Sequence, residues 1–302
     1  MSARRPVLSV SLDDELSRTA CSTYKSLFAG QLDITTGPEP ATVRLVRLDQ
    51  LPTRRTNEEV VAIGEADLPS VVALMGSHPW LNHVISSGLF PSIEPELSSM
   101  VLWRLLGGRT DPATSTLFHK SFVGRKATVR DSTLRGKRLD LLMEYALQAG
   151  VSEIQGERIR DIAEELVSNA LYDAPAEGKS APVSRDTHVV LPKDQACTIT
   201  YGMLRDMFFV RVQDRFGTLR RARLIQVLTR CAKQTEVTMD PSRGGAGLGL
   251  WRVFSGASLV VVDVKHNEST TFLVGIETKK SRRARKGRAI HLLFRDETGA
   301  RS

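Results

Sequence analysis

The stretch Arg158–Asp173 constrains this chain more than any other. Its apolar residues Ile159, Ile162, Ala163, Leu166, Val167, Ala170 and Leu171 repeat at the spacing of one buried α-helical face. Glu165, Asn169 and Asp173 recur every fourth residue along the border of that face. A polar row in that position either lines a cleft or is a solvated helix edge. Its spacing leaves both open.

Two later segments bear on the choice. Residues 208–217 read as an alternating strand ending in Asp214, with Gly217 three positions on. Residues 244–251 form a glycine run (Gly244, Gly245, Gly247, Gly249) that opens onto an apolar helical pattern. A strand-end carboxylate can accept a hydrogen bond from an exocyclic amine, and a glycine beside it lets backbone approach a flat ring. Backbone N–H groups of a glycine run at a helix N-terminus favour phosphate. An asparagine carbonyl can complete the oxygen shell of a Mg²⁺ that already holds phosphates and waters.

In this order and spacing the three segments resemble the GHKL ATPase superfamily, which includes gyrase, histidine kinases and the anti-sigma-factor serine kinases. The pattern is most similar to the serine-kinase type. Glu165-x-x-x-Asn169-Ala170 looks like the first box, Asp214-x-x-Gly217 like the adenine box, and Gly245-x-Gly247-x-Gly249-Leu250 like the phosphate-lid box. The resemblance implies ATP and Mg²⁺ as cofactors. It implies Glu165 as general base, Asn169 as Mg²⁺ ligand and Asp214 as adenine acceptor, with Asp173, Gly217, Gly245, Gly247, Leu248 and Gly249 in the nucleotide site. Arg243, beside the glycine run, is the first choice for a phosphate contact.

Composition narrows the class. A hydrophobic fraction of 41% and a charged fraction of 25% are those of a soluble globular protein, and no 18-residue apolar tract offers a membrane span. Residues 1–10 lack the apolar core of a signal peptide. Cys21, Cys197 and Cys231 are scattered, which suits a reducing cytoplasm. The net charge of +8 is local: seven cations and no acid lie in Lys279–Arg288. That run is either a solvated loop or a docking patch for an acidic protein or nucleic acid. In the second case the strands expected over 270–277 and 289–294 hold it as a hairpin loop.

The first half alternates strands with helices: strands over 7–12, 31–35, 42–48, 59–64 and 80–85, helices over 16–28, 68–75 and 93–106. This argues a parallel α/β sheet. The order loosely resembles a response-regulator receiver, with Asp13 and Asp14 after the first strand and Asp49 after the third. Gly64 stands where a receiver has Ser or Thr, and Ile85-Ser86-Ser87 lacks the receiver lysine. A phosphoryl group on Asp49 would lack its counter-charge. The half therefore reads as a pseudo-receiver or as an unrelated α/β domain. His78, Trp80 and His83 read as packing residues.

After a turn-rich break at residues 107–112, strands are expected at 126–130, 188–191, 197–204, 207–214, 258–264, 270–277 and 289–294. Helices are expected at 139–147 (closed by Gly150), at the central stretch, and within 218–242. The 218–242 segment carries Arg220, Arg221, Arg223, Arg230 and Lys233. It would be the ATP lid of a GHKL protein, or a solvated helix face. The fold expected is α/β in two domains: a receiver-like parallel α/β domain over 1–107, a linker over 108–125, and a Bergerat α/β sandwich over 126–302.

Three functions stand open. One is a GHKL ATPase or Ser/Thr kinase acting on a partner protein in bacterial signalling, favoured by Glu165 four residues before Asn169. The second is an ATP-controlled protein-binding switch or scaffold. The third is docking of nucleic acid or an acidic surface by residues 279–288. A homodimer is compatible with each. A sensor histidine kinase is disfavoured, because His119 lies in no helical-hairpin pattern.

Overall fold

The computed structural model describes residues 6–12, 14–28, 33–36, 39–85, 123–176, 184–204, 206–233, 247–278 and 288–295. The strands are β1 Val7–Ser11, β2 Asp33–Thr35, β3 Val43–Arg47, β4 Glu59–Ile63, β5 His83–Ile85, β6 Val123–Val129, β7 Cys197–Leu204, β8 Met207–Gln213, β9 Leu259–Lys265, β10 Ser269–Glu277 and β11 Ala289–Arg295. The longer helices are α1 Asp14–Phe28, α2 Leu68–Ser77, α3 Arg135–Gln148, α4 Glu153–Ser168, α5 Arg221–Lys233 and α6 Leu248–Gly256. The protein is mixed α/β, and its described residues gather into two compact units. One holds residues up to 67, 78–85 and 288–291; the other holds 68–77, 123–278 and 292–295. No described helix is long and apolar enough to cross a membrane.

In the first unit β1 to β5 stand in the order β2-β1-β3-β4-β5, each neighbouring pair parallel. This is the order of flavodoxin-like doubly wound sheets. The composition of β4 shows why: four of its five residues are buried, and a continuous apolar run suits a parallel strand covered on both faces. Residues 289–291 of β11 pair antiparallel with β5. The helix expected over 93–106 and the break at 107–112 lie outside the described residues.

Two features of this unit bear on phosphoryl chemistry. A Cβ at Gly64 would lie 2.8 Å from Leu48 Cδ1, so Leu48 fills the space that a Ser or Thr side chain would need. Asp49 sits in the 3-10 turn Leu48–Gln50 and accepts from Arg47 Nε at 2.9 Å and Nη2 at 2.8 Å. That pairing holds its carboxyl below the usual range. Asp13 and residues 86–87 lie outside the described residues.

In the second unit the order is β9-β10-β8-β7-β6, each neighbouring pair antiparallel. Helix α3 packs on β6 and β7, α4 on α3 and β8, α6 on α4, α5 on α6, and α2 against α5. Helix α3 stops at Gly150 as the sequence leads one to expect. Gly150 has φ +85°, its N–H donates to the Leu147 carbonyl, and the Val151 N–H donates to the Ala146 carbonyl. This is a Schellman ending, which the absent Cβ permits.

Two expectations are corrected. Residues 188–191 form no strand but one isolated bridge, Asp131 to Val190. Their partner segment turns at once into the 3-10 helix Ser132–Leu134, and Pro192 supplies no N–H, so the ladder cannot extend. The β10–β11 hairpin is also absent. Both edges of β10 are taken by β8 and β9, and β11 instead offers residues 289–291 to β5. Residues 279–287 lie outside the described residues.

The contact between Gly64 and Leu48, with Asp49 tied to Arg47, leads to an expectation for the first unit. Incubation of the whole protein with acetyl phosphate and Mg²⁺ leaves Asp49 unmodified by intact-mass and peptide mass spectrometry. A stable acyl phosphate at Asp49 would overturn the pseudo-receiver reading.

Candidate functional site

Helix α4 buries Gly156, Ile159, Ile162, Ala163, Leu166 and Val167, the face expected from the spacing. It does not end at Ser168. Residues Asn169–Asp173 continue as one π-helical turn, in which the Ala174 N–H donates to the Asn169 carbonyl, and a further helical turn covers Ala174–Ala176. The wide turn stands just before Pro175, whose ring would meet the carbonyl of Leu171 in a regular α-helix. It also matters to the polar row. At 3.6 residues per turn, side chains four apart drift by about 40° around the axis. A wider turn removes much of that drift, so Asp173 returns towards the line of Glu165 and Asn169.

One guanidinium confirms the alignment. Arg185 donates from Nη1 to Glu165 Oε2 at 2.9 Å, and from Nη2 to Glu165 Oε1 at 3.1 Å, to Asn169 Oδ1 at 2.7 Å and to Asp173 Oδ2 at 3.1 Å. The bonds it donates to Glu165 come first among the causes that push the Arg185 pKa further upward. Glu164, next in sequence, has a different task. It pairs with Arg135 Nε at 3.0 Å and accepts from Ser168 Oγ at 3.1 Å, while Arg135 also lies over the Tyr172 ring.

Asp214 follows β8 and is 7% exposed. Its Oδ1 accepts three backbone N–H bonds, from Phe216 at 2.8 Å, Gly217 at 3.2 Å and Thr270 at 3.1 Å. Burial pushes the carboxyl pKa up, against the opposing pull of those amides. The Thr270 side chain also acts on this carboxylate and pulls its pKa down. Gly217 has φ +63°, and a Cβ there would lie 2.0 Å from the Lys265 carbonyl oxygen. The glycine is thus required by the β9–β10 turn packed against it. His266 completes the buttress, with Nδ1 at 3.3 Å from the Gly217 carbonyl and Nε2 at 2.7 Å from Arg220.

Two contacts bring the three segments together. Thr218 Oγ1 donates to the Ala174 carbonyl at 3.2 Å, fastening the segment after Asp214 to the end of the polar row. At the other end the first turn of α6 lies against Glu165: a Cβ on Gly249 would fall 1.8 Å from the Glu165 carboxyl carbon. A carboxylate beside a helix N-terminus is favourably placed. Gly247, at φ +115°, caps α6, and a Cβ there would meet Val227 of α5 at 2.4 Å. Leu248 opens the helix. Arg243, Gly244 and Gly245 lie outside the described residues.

The basic segment expected to be a lid is helical over α5 and buries Leu224, Ile225, Leu228 and Cys231. Its first two arginines are engaged elsewhere: Arg220 with His266, and Arg221 as donor to the Met75 carbonyl at 3.2 Å.

The donor chemistry of the row fits a hard cation: two carboxylates and one amide oxygen. Among the described residues no group of three or more His, Cys, Asp or Glu could hold a metal ion. The oxygens of the row are fewer than the full shell such a cation takes. The residue that sequence reasoning missed is Arg185. It lies in a polar loop, twenty residues after Glu165, where no periodicity marks it. The available signal was the charge of the row itself, since two carboxylates on one line call for a cation.

Gly217 and Gly249 differ in what blocks them, and their alanine variants part accordingly. Gly217→Ala meets backbone at a positive φ and loses at least about 2 kcal/mol in urea unfolding. Gly249→Ala meets the carboxylate of Glu165, which can clear it only by leaving Arg185, and loses about 1–2 kcal/mol in the same assay. Equal losses would show that the Glu165 end is as fixed as the β9–β10 turn.

No protein-family model and no curated protein sequence matches this chain. Among solved structures it is similar to a chain of the SiaB–SiaC complex from Pseudomonas aeruginosa, at 15% identity and a TM-score of 0.37, covering 59% of this chain and 99% of that one. A likeness that loose transfers nothing to this chain.

Proposed function

We propose that the second unit binds MgATP in the manner of a GHKL protein and that the protein is a regulatory ATPase or Ser/Thr kinase acting on a partner protein in bacterial signalling. One observation carries this reading: a buried strand-end carboxylate, a row of three oxygen-bearing side chains and a glycine-capped helix start are fastened together through Thr218–Ala174 and Gly249–Glu165. Asp214 has the form the adenine role needs, since three amides on Oδ1 fix the carboxylate and Oδ2 would accept from an exocyclic amine. Asn169 Oδ1 would complete the Mg²⁺ shell, and Glu165 would take the proton of the attacking water or hydroxyl. The nucleotide supplies the transferable phosphoryl group.

A second reading is a switch in which ATP is bound but not turned over. The two bonds from Arg185 to Glu165 favour it, because they engage both carboxylate oxygens that a general base would use.

Asp214→Asn tests the adenine role and separates it from folding. Because burial raises the folded-state pKa of Asp214, its contribution to stability is largest below the unfolded carboxylate pKa and is lost as pH rises through the raised value. The asparagine keeps an oxygen for the three amides and carries no charge, so stability at pH 7 is unchanged or higher. Its second position becomes a donor, and ATP affinity in titration calorimetry falls about 5- to 150-fold, equivalent to about 1–3 kcal/mol. Unchanged affinity would remove the adenine assignment.

Glu165→Ala distinguishes enzyme from switch, since a base matters to the transition state and not to ATP binding. The enzymatic reading predicts retained ATP binding with loss of phosphate release or of label transfer to a partner. ATP binding by both proteins with no phosphate release or label transfer above the spontaneous rate would leave the switch.

A further inference from the structure

Arg185 holds the three side chains that the nucleotide reading needs. Its placement is built by the loop around it. The Thr187 N–H donates to the Ser184 carbonyl at 3.0 Å, closing a turn with Arg185 inside it. Beyond the turn, the Val189 N–H donates to Ser132 Oγ at 3.0 Å, the Ser132 N–H to the Val189 carbonyl at 2.9 Å, and the Leu191 N–H to the Arg130 carbonyl at 2.8 Å. His188 Nε2 lies 3.0 Å from Asp131 Oδ1. The loop is thus tied to residues 130–132 directly after the turn that carries Arg185.

The row offers a cation two carboxylates and an amide oxygen, and the guanidinium touches all three between 2.7 and 3.1 Å. Asn169 Oδ1, the oxygen with the shortest of these bonds, is the one a Mg²⁺ ion would require. Arg185 and a metal-bound polyphosphate cannot both have it. We propose that Arg185 is an internal plug, a tethered cation that occupies the Mg²⁺ position of the row in the resting protein and must swing out before MgATP is seated. This rests on the nucleotide reading above and adds its regulation: whatever draws the 184–191 loop away from residues 130–132 opens the site.

The opposite role has an equally clear signature. An arginine that clamps phosphate would strengthen ATP binding, with or without metal. Titration calorimetry of the whole protein and of Arg185→Ala, with MgATP and with ATP in excess EDTA, separates the two. The plug predicts that Arg185→Ala binds MgATP about fivefold or more tightly than wild type. It predicts no gain for ATP in EDTA, where removing a cation only weakens attraction for the triphosphate. MgATP affinity that is unchanged or weaker in the variant overturns the plug while leaving nucleotide binding intact. A gain of equal size in EDTA also overturns it, because the metal position is then not what Arg185 holds. If neither protein binds ATP under any condition, the nucleotide reading fails and the plug fails with it.

Discussion

The carboxylate of Glu165 can lie against the first turn of α6 only because residue 249 has no side chain. Much of the second unit follows from that contact. Helix α6 approaches α4 closely at both ends, at Gly249 against Glu165 and at Gly256, where a Cβ would meet Ile162 Cδ1 at 2.9 Å. The two glycines are seven residues apart, so they share one helix face. Close approach brings the positive end of α6 to an acidic side chain that is otherwise mostly buried, with 17% of its side chain exposed. Arg185 supplies the remaining charge from the other side.

This places the glycine-rich segment in two roles. Gly249 and Gly256 allow two helices to touch, which is packing. Gly247 gives the backbone a left-handed turn before α6 and tucks against Val227. A chemical role for the same backbone N–H groups is compatible with both, since a cap leaves the first-turn donors available. Gly217 belongs with the packing glycines as well: the turn at Lys265–Ser269 fills the space a side chain would occupy. Its neighbour Asp214 gathers three amides on one oxygen, which fixes the orientation of the carboxylate at the end of β8.

In the first unit the sheet order and the chemistry at the strand ends rest on different residues. The parallel arrangement needs only buried apolar strands and crossovers, and β1, β3 and β4 supply them. Chemistry at the strand ends needs particular side chains. There Leu48 fills the space at Gly64 and Arg47 engages Asp49.

The sequence by itself determined the elements whose signals are local. Periodicity marked the buried face of α4, alternation marked β7 and β8, and Gly150 marked the end of α3, because each depends on residues within a few positions of one another. The polar row and the Asp214 segment were legible for the same reason. Tertiary structure decided everything that depends on a distant partner. The π turn realigns Asp173, and Arg185 closes on the row from twenty residues away. Strand β11 pairs with β5 because β10 has no free edge, a fact about neighbours that no local pattern carries. Residues 188–191 are apolar enough to read as a strand yet make one bridge, since a ladder needs an extended partner and residues 132–134 coil away.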